Sequence, residues 1–374
     1  MESITKTLVP NAHENKNGGD QKANYFSQAI HLVTSASLPM VLYNAIKLNL
    51  FEIIAKSTSH GEKLSPAQIA SKLPTKNPDA ASMIDRMLLL LATYSVFTCD
   101  VVEVACEDGV KYERVYGLSP VGEFFVPDEE GNTIAYLAKM LQDKVFIHSW
   151  YELDNAILEG GVPFDRVYGM NQFEYNGTDP RFNELFNKGL TGLTSTTMKH
   201  LLNEYEGFEG LNTLVDVGGG FGVTLHKIVS KYPQIKGINF DLPHVVENAP
   251  SYPGVEHIGG DMFKSVPKGD AIFMKGVIHD WGDGQCLKLL KNCFEALPDN
   301  GKVIVIDFIL PLKPDTTVFA RTVCQTDNLM MAVNPGGKER PEVEFQALAI
   351  GAGFKGIKLI RRHGGNIGVI EMYK

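Results

Sequence analysis

Apolar residues recur at two different spacings along this chain, and the spacing changes near Leu211. Before that point, spacings of three and four residues predict helices, including one long helix from Asn24 to Ala55. Serine caps helices and proline suits their first position, so Ser65-Pro66 predicts a helix start. The further elements predicted here are the helices Gln68–Lys72 and Asn77–Leu91 and a hairpin of the strands Val96–Val104 and Val115–Leu118.

After Leu211, short apolar runs alternate with helical segments such as Thr224–Lys231 and Gln285–Leu297. The predicted strands are Thr213–Val217, Lys236–Asp241, Val255–Gly259, Ala271–Lys275, Lys302–Ile309 and a C-terminal pair around Ile357–Ile360 and Ile367–Met372. Strands that alternate with helices indicate a mainly parallel sheet with helices on both faces. The predicted fold class is therefore α/β.

The pattern divides the chain into a flexible tail (1–23), a winged-helix-like domain (24–120) and a sheet domain (121–374) whose first part, 121–205, is helical. A winged-helix unit raises the possibility of DNA binding. Residues 1–115 hold 11 basic and 12 acidic side chains, however, and nucleic-acid binders usually carry a basic face. The interpretation is a structural domain.

Composition narrows the class of protein further. The 374 residues carry a formal charge of -9, which argues against nucleic acid as a partner. Five cysteines without metal-type spacing suggest reduced thiols and a cytoplasmic protein. Neither a signal pattern nor an apolar run of about 20 residues is present, so no membrane segment is predicted.

A glycine-rich turn follows the first strand of the sheet domain, in Val215-Asp216-Val217-Gly218-Gly219-Gly220-Phe221-Gly222. Glycines let such a turn tighten and let a ligand approach the backbone. Asp241 ends the next strand, 19 residues past Gly222, near the spacing of a carboxylate that binds ribose hydroxyls. The spacing is GxGxG, with Val223 in place of the last glycine of the dinucleotide pattern. A turn that need not hold phosphate suits S-adenosylmethionine.

Several motifs together resemble one family, the plant S-adenosylmethionine-dependent small-molecule O-methyltransferases, closest to the caffeic acid and phenylpropanoid enzymes. These motifs are the glycine turn, Asn239-Phe240-Asp241-Leu242-Pro243, Gly259-Gly260-Asp261-Met262-Phe263, His279-Asp280-Trp281 and Asn334-Pro335-Gly336-Gly337-Lys338-Glu339-Arg340. The resemblance implies a Rossmann-like methyltransferase sheet, S-adenosyl-L-methionine as cofactor with S-adenosyl-L-homocysteine as product, and an N-terminal domain that forms a homodimer. The cofactor contacts that it implies are Gly218, Asp241, Leu242, Asp261, Met262 and Lys275.

His279 is the candidate general base. It follows the strand Ala271–Lys275 at the carboxyl end, where α/β sheets bind ligands. Transfer of a methyl group to a hydroxyl needs a group that takes the hydroxyl proton. The resemblance implies that Asp307 and Glu339 orient the imidazole. Asp307 stands where the caffeic acid type has glutamate, and its side chain is one methylene shorter. We interpret Asp280, His244 and His257 as structural.

The acceptor pocket is also inferred from the resemblance. Its expected residues are Met140, Leu141, Phe146, Gln172, Phe186, Leu190, Leu193, Met330 and Asn334. Met and Phe side chains would hold a flat aromatic ring. The caffeic acid type has histidine in place of Leu193, alanine in place of Gln172 and tryptophan in place of Gly276, so the pocket wall differs here.

The hypothesis is a metal-independent O-methyltransferase that acts on a small plant phenolic, with a phenylpropanoid favoured over a phenolic alkaloid, a flavonoid or a coumarin. No metal site is expected, because the motif is that of the histidine type. Two alternatives of other classes remain: an NAD-dependent oxidoreductase, and an inactive winged-helix regulatory protein. The GxGxG spacing argues against the first, and an intact His279 with Asp307 and Glu339 argues against the second.

Overall fold

The computed structural model describes residues 18–58, 61–106, 109–361 and 367–374, and the chain divides into two units, Met1–Glu123 and Phe124–Lys374. The predicted tail lies outside the described residues as far as residue 17. Residues 18–23, its remaining part, are the start of the first helix.

The first unit consists of helices followed by a two-stranded antiparallel hairpin. Its elements are α1 (Gly18–Thr34), α2 (Ser37–Lys47), α3 (Leu50–Thr58), α4 (Pro66–Ala70), α5 (Ala80–Thr93), β1 (Phe97–Cys106), β2 (Gly109–Leu118) and α6 (Pro120–Glu123). Helix α4 begins as predicted by capping, since Ser65 and Gln68 exchange side-chain-to-backbone hydrogen bonds in a capping box. The core of this unit includes the aromatic pair Phe51 and Phe97, whose ring planes are tilted by 32° and whose centroids are 4.8 Å apart.

The single helix predicted over Asn24–Ala55 is wrong, because this segment forms α1, α2 and α3. Pro39 lies in the first turn of α2, where a proline is tolerated, but it could not continue α1. Asn49 has a left-handed backbone with φ of 54°, which ends α2 before α3 begins. The apolar periodicity ran through both breaks, so it predicted helix without locating the ends.

The second unit is built around a seven-stranded sheet in the order β5-β4-β3-β6-β7-β9-β8. The strands are β3 (Thr213–Val217), β4 (Lys236–Asp241), β5 (Val255–Gly259), β6 (Ala271–Lys275), β7 (Lys302–Phe308), β8 (Gly356–Arg361) and β9 (Ile367–Tyr373). Strands β3 to β7 are parallel, whereas β9 is antiparallel to both of its neighbours. The predicted α/β class with a mainly parallel sheet is confirmed.

Helices cover both faces of this sheet. The helices of the second unit are α7 (Ala135–Leu141), α8 (Lys144–Ser149), α9 (Leu153–Glu159), α10 (Pro163–Tyr168), α11 (Gln172–Asn176), α12 (Pro180–Glu204), α13 (Val223–Lys231), α14 (Pro243–Val246), α15 (Asp283–Ala296), α16 (Val318–Val333) and α17 (Glu342–Ala352), with 3-10 turns at Trp150–Glu152 and Ile278–Asp280. Alternate residues of the buried strands belong to two different cores. Ile272 packs with helices α15 and α17, and its neighbour Phe273 packs with α12 and α13.

Candidate active site

Four neighbouring parallel strands, β4, β3, β6 and β7, end at the same edge of the sheet. Each carries an ionisable side chain at or near its carboxyl end: Asp241, Asp216, Lys275 and Asp307, in that order across the sheet. Ligands of open α/β sheets bind in the crevice at this edge. The strand pattern and these four residues therefore locate the candidate site.

The glycine turn after β3 is held from one side by Asp241. Gly218, Gly220 and Gly222 have φ values of 71°, 58° and 81°, a left-handed backbone that favours glycine. The Gly220 N–H donates to Asp241 Oδ2 at 2.8 Å, and the Leu242 N–H donates to Asp241 Oδ1 at 2.7 Å. Each carboxylate oxygen keeps lone pairs for further donors, such as the hydroxyls of a ribose.

The second acidic segment, Asp261-Met262, follows β5. Asp261 Oδ1 accepts the Phe263 N–H at 2.9 Å, and the Met262 carbonyl accepts the side-chain amide of Asn292 at 2.8 Å. Both bonds hold the backbone of this loop, while the Leu242 side chain remains exposed. The structure thus places Asp261, Met262 and Leu242 on loops at the carboxyl ends of β5 and β4.

One buried oxygen near the turn, Asp216 Oδ2, lacks a hydrogen-bond partner among the described residues. Burial and then the charge of Asp241 raise the pKa of Asp216 to about 8. Burial lowers the pKa of Lys275, although the carboxylates of Asp307 and Asp216 oppose this change. With the carboxylate of Asp241 hydrogen-bonded to it, the turn is poorly suited to phosphate. Its residues fit S-adenosylmethionine, whose sulfonium and ammonium groups are positive.

His279 lies in the 3-10 turn that follows β6, and a buried carboxylate holds it. Its Nδ1 atom is 2.9 Å from Oε1 of Glu339, a residue 60 positions further along the chain. Because a carboxylate only accepts, Nδ1 carries the proton and donates it to this bond. The Nε2 atom is therefore the nitrogen that can take up a proton from an acceptor.

Asp307 lies farther from the imidazole than Glu339 does. The distance from His279 Nδ1 to Asp307 Oδ1 is 3.8 Å, too long for a hydrogen bond, and neither carboxylate oxygen of Asp307 has a hydrogen-bond partner among the described residues. His279, Asp307 and Glu339 therefore lie close together, but of the two carboxylates only Glu339 forms a hydrogen bond with His279.

Asp280, which the sequence suggested was structural, faces the other side of the ring. Its Oδ1 atom is 3.6 Å from His279 Nε2 and accepts a hydrogen bond of 2.7 Å from the Asn334 side chain. Asn334 was expected in the acceptor wall, and here it holds Asp280. The motif His279-Asp280-Trp281 was visible in the sequence, but the position of Asp280 next to His279 in the chain did not predict that its carboxylate lies near Nε2.

The carboxylates change the proton affinity of His279. Burial by itself lowers its pKa, but the negative charges of Asp307, Asp280 and Glu339 outweigh burial and raise the pKa to about 10. Burial raises the pKa of Asp307 to about 7 and that of Asp280 to about 6. We therefore expect the imidazole to be protonated at neutral pH in the chain by itself.

Arg340 fixes the turn that carries His279, and sequence reasoning missed it. Its fully buried guanidinium donates to the Ile278 carbonyl at 2.9 Å and to the Trp281 carbonyl at 2.7 Å. The Lys338 N–H also donates to the His279 carbonyl at 2.9 Å. The signal that could have found Arg340 was its place directly after Glu339 in the quoted motif.

The expected acceptor residues do not all share one environment. Met140, Phe146 and Met330 are buried in one aromatic-rich cluster, against which Leu141 and Phe186 also pack. Leu193 is half-buried, whereas Leu190 is 40% exposed. Met330 is 8% exposed and Met331 is 41% exposed, so Met330 is the methionine of this pair that faces the protein interior.

Gln172 is the polar member of the expected wall. It is buried in the first turn of α11, and its Nε2 donor has no hydrogen-bond partner among the described residues. The adjacent Phe173 ring stacks on Trp281, with centroids 6.5 Å apart, which brings α11 beside the His279 turn. The unpaired Nε2 donor of Gln172 could form a hydrogen bond with an oxygen atom of a bound methyl-acceptor molecule.

Within the described part of the chain, no group of three or more His, Cys, Asp or Glu side chains is arranged to hold a metal ion. In the same residues no single helix is long and apolar enough to cross a membrane, and one bent pair, Lys22–Thr34 with Ser37–Lys47, meets that test only jointly.

Two family models match the chain. Residues 150–355 match the O-methyltransferase domain, and residues 30–128 match the O-methyltransferase dimerisation domain. The first match includes the glycine turn, the His279 turn and Glu339. The second begins at residue 30, near the end of α1, and covers the remaining helices and the hairpin of the first unit.

Curated relatives are similar over most of their length. Caffeic acid 3-O-methyltransferase of Clarkia breweri is 59% identical, with 91% of each chain covered. The enzyme of that name from Prunus dulcis is 60% identical, over 91% of this chain and 92% of the relative. Catechol O-methyltransferase 1 of Solanum lycopersicum is 58% identical, over 92% of this chain and 94% of the relative.

Solved structures share the fold at low identity. The calicheamicin-biosynthesis methyltransferase CalO1, in its SAH-bound form, has a TM-score of 0.78 at 21% identity, with 96% of this chain and 99% of that chain covered. Human N-acetylserotonin methyltransferase in complex with SAM has a TM-score of 0.74 at 19% identity, with 97% of this chain and 99% of that chain covered.

Proposed function

We propose, from the premise that the chain belongs to the O-methyltransferase family, that His279 is the general base of a methyl transfer to a small phenolic hydroxyl. The family membership makes the protein an S-adenosylmethionine-dependent O-methyltransferase of phenolic acceptors. The observation that carries the assignment of the base is the 2.9 Å contact between His279 Nδ1 and Glu339, which leaves Nε2 to accept a proton.

The cofactor would be held by the residues around the glycine turn. Asp241 would accept from the ribose hydroxyls, since each of its oxygens has spare lone pairs. Asp261 and Met262 would flank the adenine, with Gly218, Leu242 and Lys275 completing the site. When bound, S-adenosylmethionine supplies an electrophilic methyl group on a positively charged sulfur.

The residues around His279 would remove the proton of the acceptor. Nε2 would take the proton of the phenol as the oxygen accepts the methyl group, and S-adenosylhomocysteine is the other product. In the neutral form of His279, which is the active base, Glu339 keeps the imidazole in the tautomer with a free Nε2. A free phenol has a pKa of about 10, so proton transfer from it to an ordinary imidazole of pKa about 6.5 is unfavourable. Because the pKa of His279 is raised to about 10, proton transfer from the phenol to the neutral form of His279 costs much less free energy.

The acceptor class follows from the relatives. The caffeic acid and catechol enzymes are similar to this chain at 58–60% identity, which supports a phenylpropanoid-type phenol. The pocket wall would be formed by the cluster of Met140, Phe146 and Met330 with Leu141, Phe186, Leu190, Leu193, Gln172 and Asn334. The departures from the caffeic acid pattern that would alter which phenol is preferred are Gln172, Leu193, Gly276 and Asp307. Neither the oxidoreductase nor the inactive regulatory protein is favoured.

A direct experiment tests this function. The purified chain is titrated calorimetrically with S-adenosylhomocysteine and with NAD, and it is then given S-adenosylmethionine and a panel of phenols that includes caffeic acid. We expect binding of S-adenosylhomocysteine, no binding of NAD, and a methylated phenol detected by mass spectrometry. Binding of NAD, or the absence of any methylated product across the panel, would contradict the proposal.

We further propose a homodimer formed through the first unit, in the cytoplasm. Helix α1 exposes large apolar side chains, with Phe26 68% and Val33 80% exposed, and the match to a dimerisation domain begins within this helix, at residue 30. Such a contiguous apolar face on a helix marks an interaction surface. Light scattering should give twice the 41.2 kDa of one chain, and a monomeric mass at micromolar concentration would contradict the dimer. The cytoplasmic location is supported by five free cysteines.

A further inference from the structure

The side chain of His257 is linked to the glycine turn through one buried amide. His257 lies on β5 directly opposite Asn239 on β4, in the register of the two parallel strands. The Asn239 Nδ2 atom is 3.0 Å from His257 Nδ1 and 2.9 Å from the carbonyl oxygen of Gly220. The His257 Nε2 atom is 2.9 Å from the carbonyl oxygen of Pro250.

Two backbone carbonyls determine where every proton in this chain of bonds lies. The Gly220 carbonyl can only accept, so the Asn239 amide must point its NH₂ group towards the turn. The Pro250 carbonyl can only accept as well, so His257 Nε2 must carry a proton. The second N–H of the amide then needs an acceptor, and the unprotonated Nδ1 of His257 provides it. The arrangement therefore requires a neutral His257.

The same two side chains pack against the glycines of the turn. A Cβ on Gly219 would be 2.1 Å from Asn239 Oδ1, and a Cβ on Gly222 would be 3.0 Å from His257 Cε1. The Gly220 N–H is held by Asp241, as described above, and its carbonyl is held by Asn239. The left-handed Gly220 is thus fixed on both sides, and one of the two attachments depends on His257.

We propose that His257 is a positioning residue for S-adenosylmethionine, which holds the Gly220 carbonyl through Asn239 and so keeps the glycine turn in its binding conformation. The inference rests on the proposed function, because it assigns a role towards the cofactor of that site. Without the Nδ1 acceptor, a buried N–H of Asn239 loses its partner, and the amide can satisfy itself only by turning away from Gly220.

A matched pair of variants separates the acceptor from the bulk of the ring. Asparagine and leucine have the same branched shape, but only asparagine can place an acceptor near the position of Nδ1. The affinity for S-adenosylhomocysteine, measured by calorimetry at pH 7.5, should weaken by roughly 5- to 50-fold in His257→Leu and stay within about threefold in His257→Asn. The unfolding temperature of each variant without ligand is measured in parallel, and His244→Leu, at an exposed histidine nearby, is the control.

The outcomes divide clearly. Normal affinity in His257→Leu, or equal loss in both variants of the pair, would overturn the inference. If His257→Leu does not fold, Asn239→Leu takes its place. Asn239→Leu should weaken binding at least as much, and normal binding by Asn239→Leu would overturn the inference. An unaltered chain that does not bind S-adenosylhomocysteine would overturn the proposed function as well.

Discussion

Glu339→Gln changes one buried carboxylate into an amide of the same shape, at the atom that contacts the proposed base. Glu339 Oε1 accepts from His279 Nδ1 at 2.9 Å, and the Glu339 side chain is fully buried. A hydrogen bond to a charged group contributes about 1.5–3 kcal/mol. Since one pKa unit corresponds to about 1.36 kcal/mol, the pKa of His279 should fall by roughly one to two units from its raised value of about 10.

The predicted fall in the pKa of His279 determines the direction in which the pH dependence of the rate should move. A base whose pKa is raised gains its active, unprotonated form only as the pH increases, so the rate of methyl transfer should rise with pH above neutrality. In Glu339→Gln this rise should move to lower pH. The maximal rate should fall by about 10- to 100-fold, because the amide can also donate to Nδ1 and so favour the tautomer whose Nε2 is already protonated.

The assay is a series of single-turnover rates at saturating cofactor from pH 6 to 10, with one phenol throughout. Ionisation of the phenol also raises the rate with pH, but it is identical in both proteins, so the difference between the curves reports His279. Affinity for S-adenosylhomocysteine and the unfolding temperature control for a general disturbance. A rise that stays in place, or that moves to higher pH, would refute the account of Glu339.

Asp307→Asn is the matched comparison, because Asp307 lies 3.8 Å from the same nitrogen without a hydrogen bond. We expect a smaller loss of maximal rate than in Glu339→Gln. Asp307→Glu adds the methylene that is found in the caffeic acid type. It should alter the relative rates with different phenols while leaving cofactor affinity unchanged. A loss in Asp307→Asn as large as that in Glu339→Gln would mean that both carboxylates orient the ring.

Three further changes test other parts of the account. His279→Gln should lower kcat by about 10²- to 10⁴-fold with affinity for S-adenosylhomocysteine nearly unchanged, and a near-normal kcat would exclude His279 as the base. Asp241→Ala should weaken binding of S-adenosylmethionine by about 1.5–3 kcal/mol in calorimetry, and unchanged affinity would remove Asp241 from the cofactor site. Gly192→Ala would bring a Cβ to 2.1 Å from the Thr133 carbonyl oxygen and should cost about 1–3 kcal/mol of unfolding free energy, whereas Gly284→Ala, with open space around it, should not destabilise the chain in the same melt.

The sequence by itself determined the strands of the sheet and the turn that they support. Strands β3, β4, β5 and β6 begin and end where the apolar runs predicted. A buried parallel strand is a local feature, since its residues are apolar on both faces and polar residues or glycines end it. The position of Asp241 at the end of β4 follows in the same way. These elements could be predicted because their signals lie within a few residues of each other.

Only the tertiary structure decided which groups meet around His279. Glu339 and Asp307 come from different parts of the chain, and nothing in their spacing distinguishes a contact of 2.9 Å from one of 3.8 Å. The approach of Asp280 to Nε2 and the bonds from Arg340 depend on how the loops after β6 and α16 pack. The link from His257 to the glycine turn likewise required the register of β4 and β5. Periodicity records which face of an element is buried, but the distance between two side chains on different elements is set by the packing of both.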